Sequence, residues 1–394
     1  MTTLLVIIYL SFISLGLPDS LLGSAWPIIQ KDLATTFSIA GYISMTTCAG
    51  TVISSLISNR MVLKFGTGKV TFVSVVMTGL ALLGCTFAPN VLFLFAMALP
   101  LGLGAGSVDA ALNNFVALHY ESKHMSWLHC FWGIGATAGP AIMSIFLLSQ
   151  GGWRKGYLTI AILQLSLALL LFFTLPLWNR STNRTSIIDA VQQKPISNRE
   201  AMKIPYVKLA LVSFIFFCAT ELTTGLWSSS YLVSVKQVSP AIAARWAAYF
   251  YAGITGGRFI SGFLSIKVKS PTLIRIGQLI CVIGAITLML PLPAYFSMIG
   301  IILLGLGTSP IYPSMLHETP NRFGAENSGA IMGLQMAFAY IGSTFAPPLM
   351  GAIASITTIK IFPYFLLLCV LTMLITSEIL QKKIVSKNRV NIIE

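Results

Sequence analysis

The chain has 394 residues, 56% of them hydrophobic and only 9% charged, too little charge to cover a water-soluble domain, in which about a quarter of residues are charged. Disorder is excluded too, because it needs low hydrophobicity and high charge. The 25 Lys and Arg against 11 Asp and Glu give a net charge of +14, which suits either nucleic-acid binding or the basic cytoplasmic loops of a membrane protein.

A bilayer core of about 30 Å is crossed by about 20 apolar residues in a helix. Candidate spans lie at 3–27, 36–58, 69–88, 91–118, 126–149, 156–177, 207–231, 241–265, 271–291, 293–315, 325–351 and 358–380. The expected fold is an all-α membrane protein of twelve transmembrane helices. Short connections such as Pro89-Asn90 make successive helices antiparallel neighbours. The first span is too long for a signal peptide and has no basic residues before it.

With a cytoplasmic N-terminus, the inside segments carry Arg60, Lys64, Lys69, Lys123, six residues of the central loop, Lys267, Lys269, Arg275, Arg322 and four C-terminal residues, 18 in all. The outside loops carry Lys31, Arg154, Lys155, Lys236, Arg245 and Lys360, six in all. This positive-inside asymmetry puts both termini in the cytoplasm and accounts for the basic excess without nucleic acid. All six cysteines lie inside spans without metal or disulfide spacing and read as small apolar packers.

Residues 179–206 are the only long polar interior stretch. They divide the chain into an N-terminal six-helix bundle at 1–178, a cytoplasmic linker and a C-terminal six-helix bundle at 207–394. The halves repeat weakly at an offset of about 202 to 207. Asp19-Ser-Leu-Leu-Gly23 echoes Glu221-Leu-Thr-Thr-Gly225, Leu101-Gly-Leu-Gly104 echoes Leu304-Gly-Leu-Gly307, and Gly135-Ala-Thr-Ala-Gly-Pro140 echoes Gly342-Ser-Thr-Phe-Ala-Pro347. Six plus six with parallel repeats is a transporter plan in which two bundles rock about a midplane site. Gly102, Gly104, Gly106, Gly133, Gly135 and Gly139 let helices approach closely. Pro18, Pro100, Pro140, Pro310, Pro313, Pro347 and Pro348 break or bend helices where backbone can line a cavity.

These features are carried by recognisable segments. They are Gly16-Leu-Pro-Asp-Ser-Leu-Leu-Gly-Ser-Ala-Trp-Pro27, the 2–3 loop Arg60-Met-Val-Leu-Lys-Phe-Gly-Thr-Gly68, Gly106-Ser-Val-Asp-Ala-Ala-Leu-Asn-Asn114, Leu128-His-Cys-Phe-Trp-Gly-Ile-Gly135, Pro310-Ile-Tyr-Pro313 and Gly333-Leu-Gln-Met336. With them the chain resembles the major facilitator superfamily over nearly its whole length, and within it the fucose–galactose–glucose proton symporter group, fucose permease-like. One departure is Asn59 before Arg60, where the family usually has an aspartate. That implies a weaker or differently built charge latch. Gly135-Ala-Thr-Ala-Gly-Pro140 also looks like the fifth-span motif of drug–proton antiporters.

An ionisable residue inside a span is costly and marks function by default. Of the acids, Asp19, Asp109 and Glu221 lie well inside spans, with Glu318 near a cytoplasmic end. Asp109 shares a small-residue face with Gly102, Gly106 and Asn113, and the resemblance implies that it is the protonatable, coupling group. The other reading is a structural acid paired with Arg60 or Lys64, which its depth makes awkward. Asp19 follows Pro18, and the resemblance assigns it substrate binding or coupling; otherwise it is a satisfied polar residue at a kink. Asp19 and Asp109 are not expected to touch.

Glu221, Thr224 and Ser228 form a polar stripe beside Trp227, and the repeat sets Glu221 opposite Asp19. Gln335 offers donors and acceptors for hydroxyls, or bonds a neighbouring helix. Trp26, Trp132, Trp227, Tyr312 and Tyr340 are candidates to stack on sugar faces, with Trp132 and Trp227 preferred. His129 reads as a helix-end histidine or a proton shuttle. Arg60, Lys64 and Arg258 read as conformational latches, Arg258 matching Arg60 in the repeat.

The expected function is proton-coupled symport of a small neutral sugar or polyol by alternating access. The alternatives are a proton-driven exporter of hydrophobic, drug-like compounds and a non-transporting membrane sensor. The partners are a sugar-like solute, a proton and the lipid bilayer, with no cofactor and no nucleic acid, the chain working as a monomer in a bacterial inner membrane. No catalytic constellation, metal cluster or phosphate-binding loop points to an enzyme.

Overall fold

The computed structural model describes residues 2–120, 122–149, 152–182 and 197–393, and every regular element among them is helical. Residues 183–196 of the linker lie outside the described residues. The first span comprises two helices, Thr2–Asp19 and Leu21–Asp32. The second to sixth are Ile39–Phe65, Thr67–Thr86, Val91–His119, Ser122–Leu148 and Gly152–Thr182. The seventh to ninth are Val207–Lys236, Pro240–Leu264 and Ser270–Met289. The tenth is Ala294–Thr308 continued by Ile311–His317, and the eleventh and twelfth are Ala325–Ile356 and Phe362–Ile393. Eleven spans are long and apolar enough to cross a membrane. Pro240–Leu264 has the length, 25 residues, but Arg245, Arg258 and its Gly, Tyr and Trp residues lower its hydropathy.

Two of the prolines expected to disturb helices coincide with interruptions. The first span breaks at Ser20, just past Pro18 and Asp19, and the tenth breaks at Ser309–Pro310. Pro100, Pro140, Pro347 and Pro348 sit inside continuous helices. The expected 2–3 loop is corrected. The second helix runs through Arg60 and Lys64 to Phe65, and Gly66 alone joins it to the third with φ +83°. An L-residue rarely adopts that backbone, so glycine is the residue that permits so tight a reversal.

Helices in lipid gain little by hiding apolar surface from each other, and small residues that admit close backbone contact take over. Gly135 of the fifth helix lies against the carbonyl of Ile13 in the first, and Gly342 of the eleventh lies against that of Ile215 in the seventh. Gly102 of the fourth meets the Thr47 carbonyl, and Gly305 of the tenth meets that of Phe250. Gly104 packs on Ser74 in the third helix, and Gly307 packs on Gly277 in the ninth. Each second contact lies 202 to 207 positions after its first, so the weak sequence repeat is a repeat of helix crossings, and the two six-helix bundles share one plan.

The start of the first helix, the end of the sixth, the start of the seventh and the end of the twelfth lie at one end of the molecule, here the terminal face. At the opposite end the bundles are sealed together. Trp227 stacks on Phe37 with ring centroids 4.3 Å apart, and its N–H donates to the Pro347 carbonyl at 2.9 Å. Ser144 donates to the Ala241 carbonyl at 2.7 Å, and Gly41 lies against Pro348. On the terminal side Gly329 and Gly333 of the eleventh helix face open space, while the fifth and eighth helices stay together through Gly133 on Thr255.

The crossings make a direct prediction. Gly342→Val drives a side chain into the Ile215 backbone and should destabilise the protein by about 1–3 kcal/mol. Gly329→Val fills open space and should leave the melting temperature in detergent unchanged.

Candidate functional site

Between the bundles, at the middle of the spans, lies a cavity of about 260 Å³. The second helix contributes Ser44, Thr47, Cys48 and Thr51, spaced to share one face. Asp19 stands where the first span breaks. It is exposed although it lies deep in the sequence of its span, because its carboxylate faces the cavity. Trp132 from the fifth helix donates its N–H to Asp19 Oδ2 at 2.9 Å, and Oδ1 has no hydrogen bond among the described residues. Glu221 and Tyr251 line the second-bundle side, and Tyr340 and Ser343 of the eleventh helix complete it.

Arg258 lies one to two helical turns from the Tyr251 level toward the terminal face. Its Nη2 is 4.0 Å from Glu221 Oε1, with the two side chains 17% and 12% exposed. Its guanidinium carbon also sits 5.1 Å from the centre of the Trp132 ring, across the bundle interface. The cluster therefore runs Asp19, Trp132, Arg258, Glu221, with two residues from each bundle. Arg258 pairs with Glu221 and reaches Asp19 only through the indole between them.

The other expected site residues lie apart from the cavity lining. Asp109 and Asn113 pair on their own helix, the Asn113 amide donating to Asp109 Oδ1 at 2.8 Å and to the Asp109 carbonyl at 2.9 Å. Tyr312 and Tyr340 of the second bundle are close enough to feel the Asp109 charge.

Several expectations are corrected. Trp227 is fully buried in the seal, so its ring packs the closed end and is not offered to a solute. Gln335 is 1% exposed and accepts a hydrogen bond from Thr319 at 2.9 Å within its own bundle. Tyr312 donates to the Met336 sulfur at 2.8 Å and packs on Phe214 and Phe217. Arg60 is exposed with no ion-pair partner among the described residues, and Lys64 only overlies the Phe65 ring. Neither latches the bundles in this conformation.

Arg258 is not the counterpart of Arg60 either. The crossings relate the second and eighth helices by 203 positions, so Arg258 corresponds to Ser55, more than one turn nearer the middle, and joins the cavity cluster. His129 is two turns into the fifth helix, edge-on to Phe12.

Tyr251 and the hydroxyl stripe of the second helix went unrecognised in the sequence. Both had a signal: Tyr251 precedes Arg258 by seven residues, and Ser44, Thr47, Cys48 and Thr51 recur at helical spacing in an apolar span.

The model of the Major Facilitator Superfamily matches residues 8–347 and, again, 209–382. The chain belongs to the Major Facilitator Superfamily. Among relatives, it is 23% identical over 277 residues to Bypass of stop codon protein 6 of Saccharomyces cerevisiae, covering 64% of this chain and 55% of that protein. It is 22% identical over 320 residues to the glucose/mannose transporter GlcP of Bacillus subtilis, covering 78% of this chain and 77% of that one. The match to the yeast relative thus spans about half of that protein.

A solved structure of a bacterial homologue of the human lysosomal transporter Spinster, in an inward-facing and unoccupied conformation, superposes with a TM-score of 0.78 at 14% identity, covering 97% of this chain and 98% of that one. At that identity the likeness speaks for the fold. The Bacillus subtilis relative is named as a transporter, and the solved structure as a homologue of one.

The seal around Trp227 can be tested by access. In a variant whose only cysteine is Cys48, which lines the cavity, Trp227→Ala should raise labelling by an impermeant maleimide applied from the sealed side by about tenfold, the scale of a lost aromatic pair.

Proposed function

We propose that this superfamily member is a secondary active transporter that carries a small polar solute, a hexose or similar polyol, together with a proton by alternating access. The carrying observation is the cavity between the bundles with Asp19 exposed inside it and linked through Trp132 to the Arg258–Glu221 pair, a cluster of two carboxylates and one cation. With all three ionised the cluster holds one net negative charge. A single proton neutralises it, and a neutral cluster is cheaper to carry through a state closed on both sides. Asp19, whose carboxylate lines the cavity, takes the coupling role, and Asp109, on the unsealed side, is a second proton-carrying group.

The solute class follows from size and lining. A cavity of about 260 Å³ falls below the ~300–1,000 Å³ of drug-sized sites. Asp19 Oδ1 accepts from sugar hydroxyls, the hydroxyls of Tyr251, Tyr340 and Thr47 both donate and accept, and the Trp132 ring offers a face to sugar C–H groups. The name of the glucose/mannose relative agrees with this choice. The basic residues on the terminal side favour a cytoplasmic orientation of that face, and the conformation is then open inward, with the chain in a bacterial inner membrane. Leu22, Ile43, Leu94 and Leu101 also line the cavity and keep one second reading in view, proton-driven export of an apolar compound.

Purified protein in liposomes tests both readings. Radiolabelled D-glucose, D-mannose, D-galactose or L-fucose should accumulate only under an inward proton gradient. Asp19→Asn and Asp109→Asn should each abolish accumulation, Asp109→Asn leaving exchange measurable. Accumulation without any ion gradient removes the coupling. Efflux of an ethidium-type dye with no sugar movement moves the assignment to the exporter.

A further inference from the structure

Trp132 is the one residue of the cluster that touches a charge on both sides. Its N–H is held by Asp19 in its own bundle at 2.9 Å, and its ring face lies under Arg258 of the other bundle at 5.1 Å. The neighbouring position on the fifth helix is Gly133, which lies directly against Thr255 of the eighth. One turn or so nearer the terminal face Trp127 of the fifth helix meets Phe259 of the eighth, and the Trp132–Arg258 stack is the contact between the two helices that carries a charge.

We propose that Trp132 is the positioning residue through which the charge on Asp19 sets the grip between the two bundles. A hydrogen bond to an ionised carboxylate is about twice as strong as a neutral one. It fixes the indole plane and pushes electron density into the ring, which strengthens the attraction for a guanidinium above it. When Asp19 is protonated the bond weakens and the ring is free to turn. Arg258 then keeps only Glu221, a partner in its own bundle, and the fifth and eighth helices lose their charged contact. Protonation at one cavity wall is thereby converted into release at the interface.

The titratable groups around Asp19 are Cys48, Asp109, Tyr251 and Glu221, with Arg258 and His129 beyond the indole. Among these six, Arg258 alone is a fixed cation. The inference rests on the transport reading of the cavity, and one part of its test does not depend on any solute.

Spin labels at Leu118→Cys and Ile266→Cys, both exposed on the terminal side of different bundles, report the bundle separation of the full chain in nanodiscs with the native cysteines replaced. The distance distribution should shift when the sample is taken from about pH 8 to about pH 5, conditions that differ in the protons offered to Asp19. Trp132→Phe keeps a ring but has no N–H, and should lose the shift. Arg258→Lys keeps the charge but not the planar face and should lose it too, which guards against a folding defect peculiar to one variant. With D-glucose as probe, proton-driven accumulation in Trp132→Phe should fall about tenfold further than counterflow does, the scale of one charge-assisted hydrogen bond.

A pH shift preserved in Trp132→Phe, or absent from the otherwise wild-type chain, overturns the proposal. A shift that Trp132→Phe abolishes in a protein that moves none of the sugars supports the relay and sinks the sugar reading.

Discussion

Two helices in lipid gain almost nothing from hiding apolar side chains against each other, and this chain meets that constraint by setting backbone on backbone. Most of these approaches, Gly135 on Ile13, Gly102 on Thr47, Gly104 on Ser74 and their counterparts in the second half, lie within a bundle, while Gly23 on Gly225 and Gly41 on Pro348 cross between the two. Each bundle therefore behaves as a unit with little freedom inside it. Side chains supply much of what holds the bundles to one another: an indole on a phenyl ring, a hydroxyl on a carbonyl, a guanidinium over an indole. Contacts of that kind can be exchanged for others without unfolding anything, and two rigid halves with exchangeable contacts form a device that can rock.

The placement of charge follows the same economy. Each ionised side chain in the middle of a span costs about 2.5–3.5 kcal/mol on insertion scales. Asp19, Glu221 and Arg258 are gathered into one cluster, so that attraction offsets part of this cost. Asp109 stands separately, its carboxylate satisfied by the Asn113 amide one turn along the same helix. The first-span break at Ser20 adds to the arrangement. Thr2–Asp19 packs on the fifth helix, while Leu21–Asp32 packs on the seventh. The main packing partner of the first span passes from its own bundle to the other at the residue after the carboxylate.

Much of this was legible in the sequence. The span count and the repeat followed from hydropathy and from three short echoes, and Asp19 and Glu221 were marked because acids are so scarce. What failed did so for physical reasons. Trp227 and Gln335 look the same in a sequence whether they face a cavity or a neighbouring helix, because a polar edge on an apolar body suits either. The helical phase of the eighth span decides that Arg258 reaches Trp132 and not the membrane surface. That phase depends on the crossing at Gly305, which only the packed structure sets. The second helix was cut short at residue 58 because its last two turns carry Arg60 and Lys64, yet charge at a helix end does not stop a helix.

The sealed end has a physical character that reaches beyond closure. Trp227, Phe37, Pro347, Ser144 and Ala241 hold it without a single charge, and no ion pair crosses between the bundles among the described residues. Dissolved ions have nothing to screen in these contacts between the bundles. Opening this side should therefore proceed at the same rate in dilute and concentrated salt. It should instead respond to temperature, as apolar association does. The cycle then has one half governed by ring packing and one half, at the face bearing Arg60 and Lys64, exposed to the ionic composition of its surroundings.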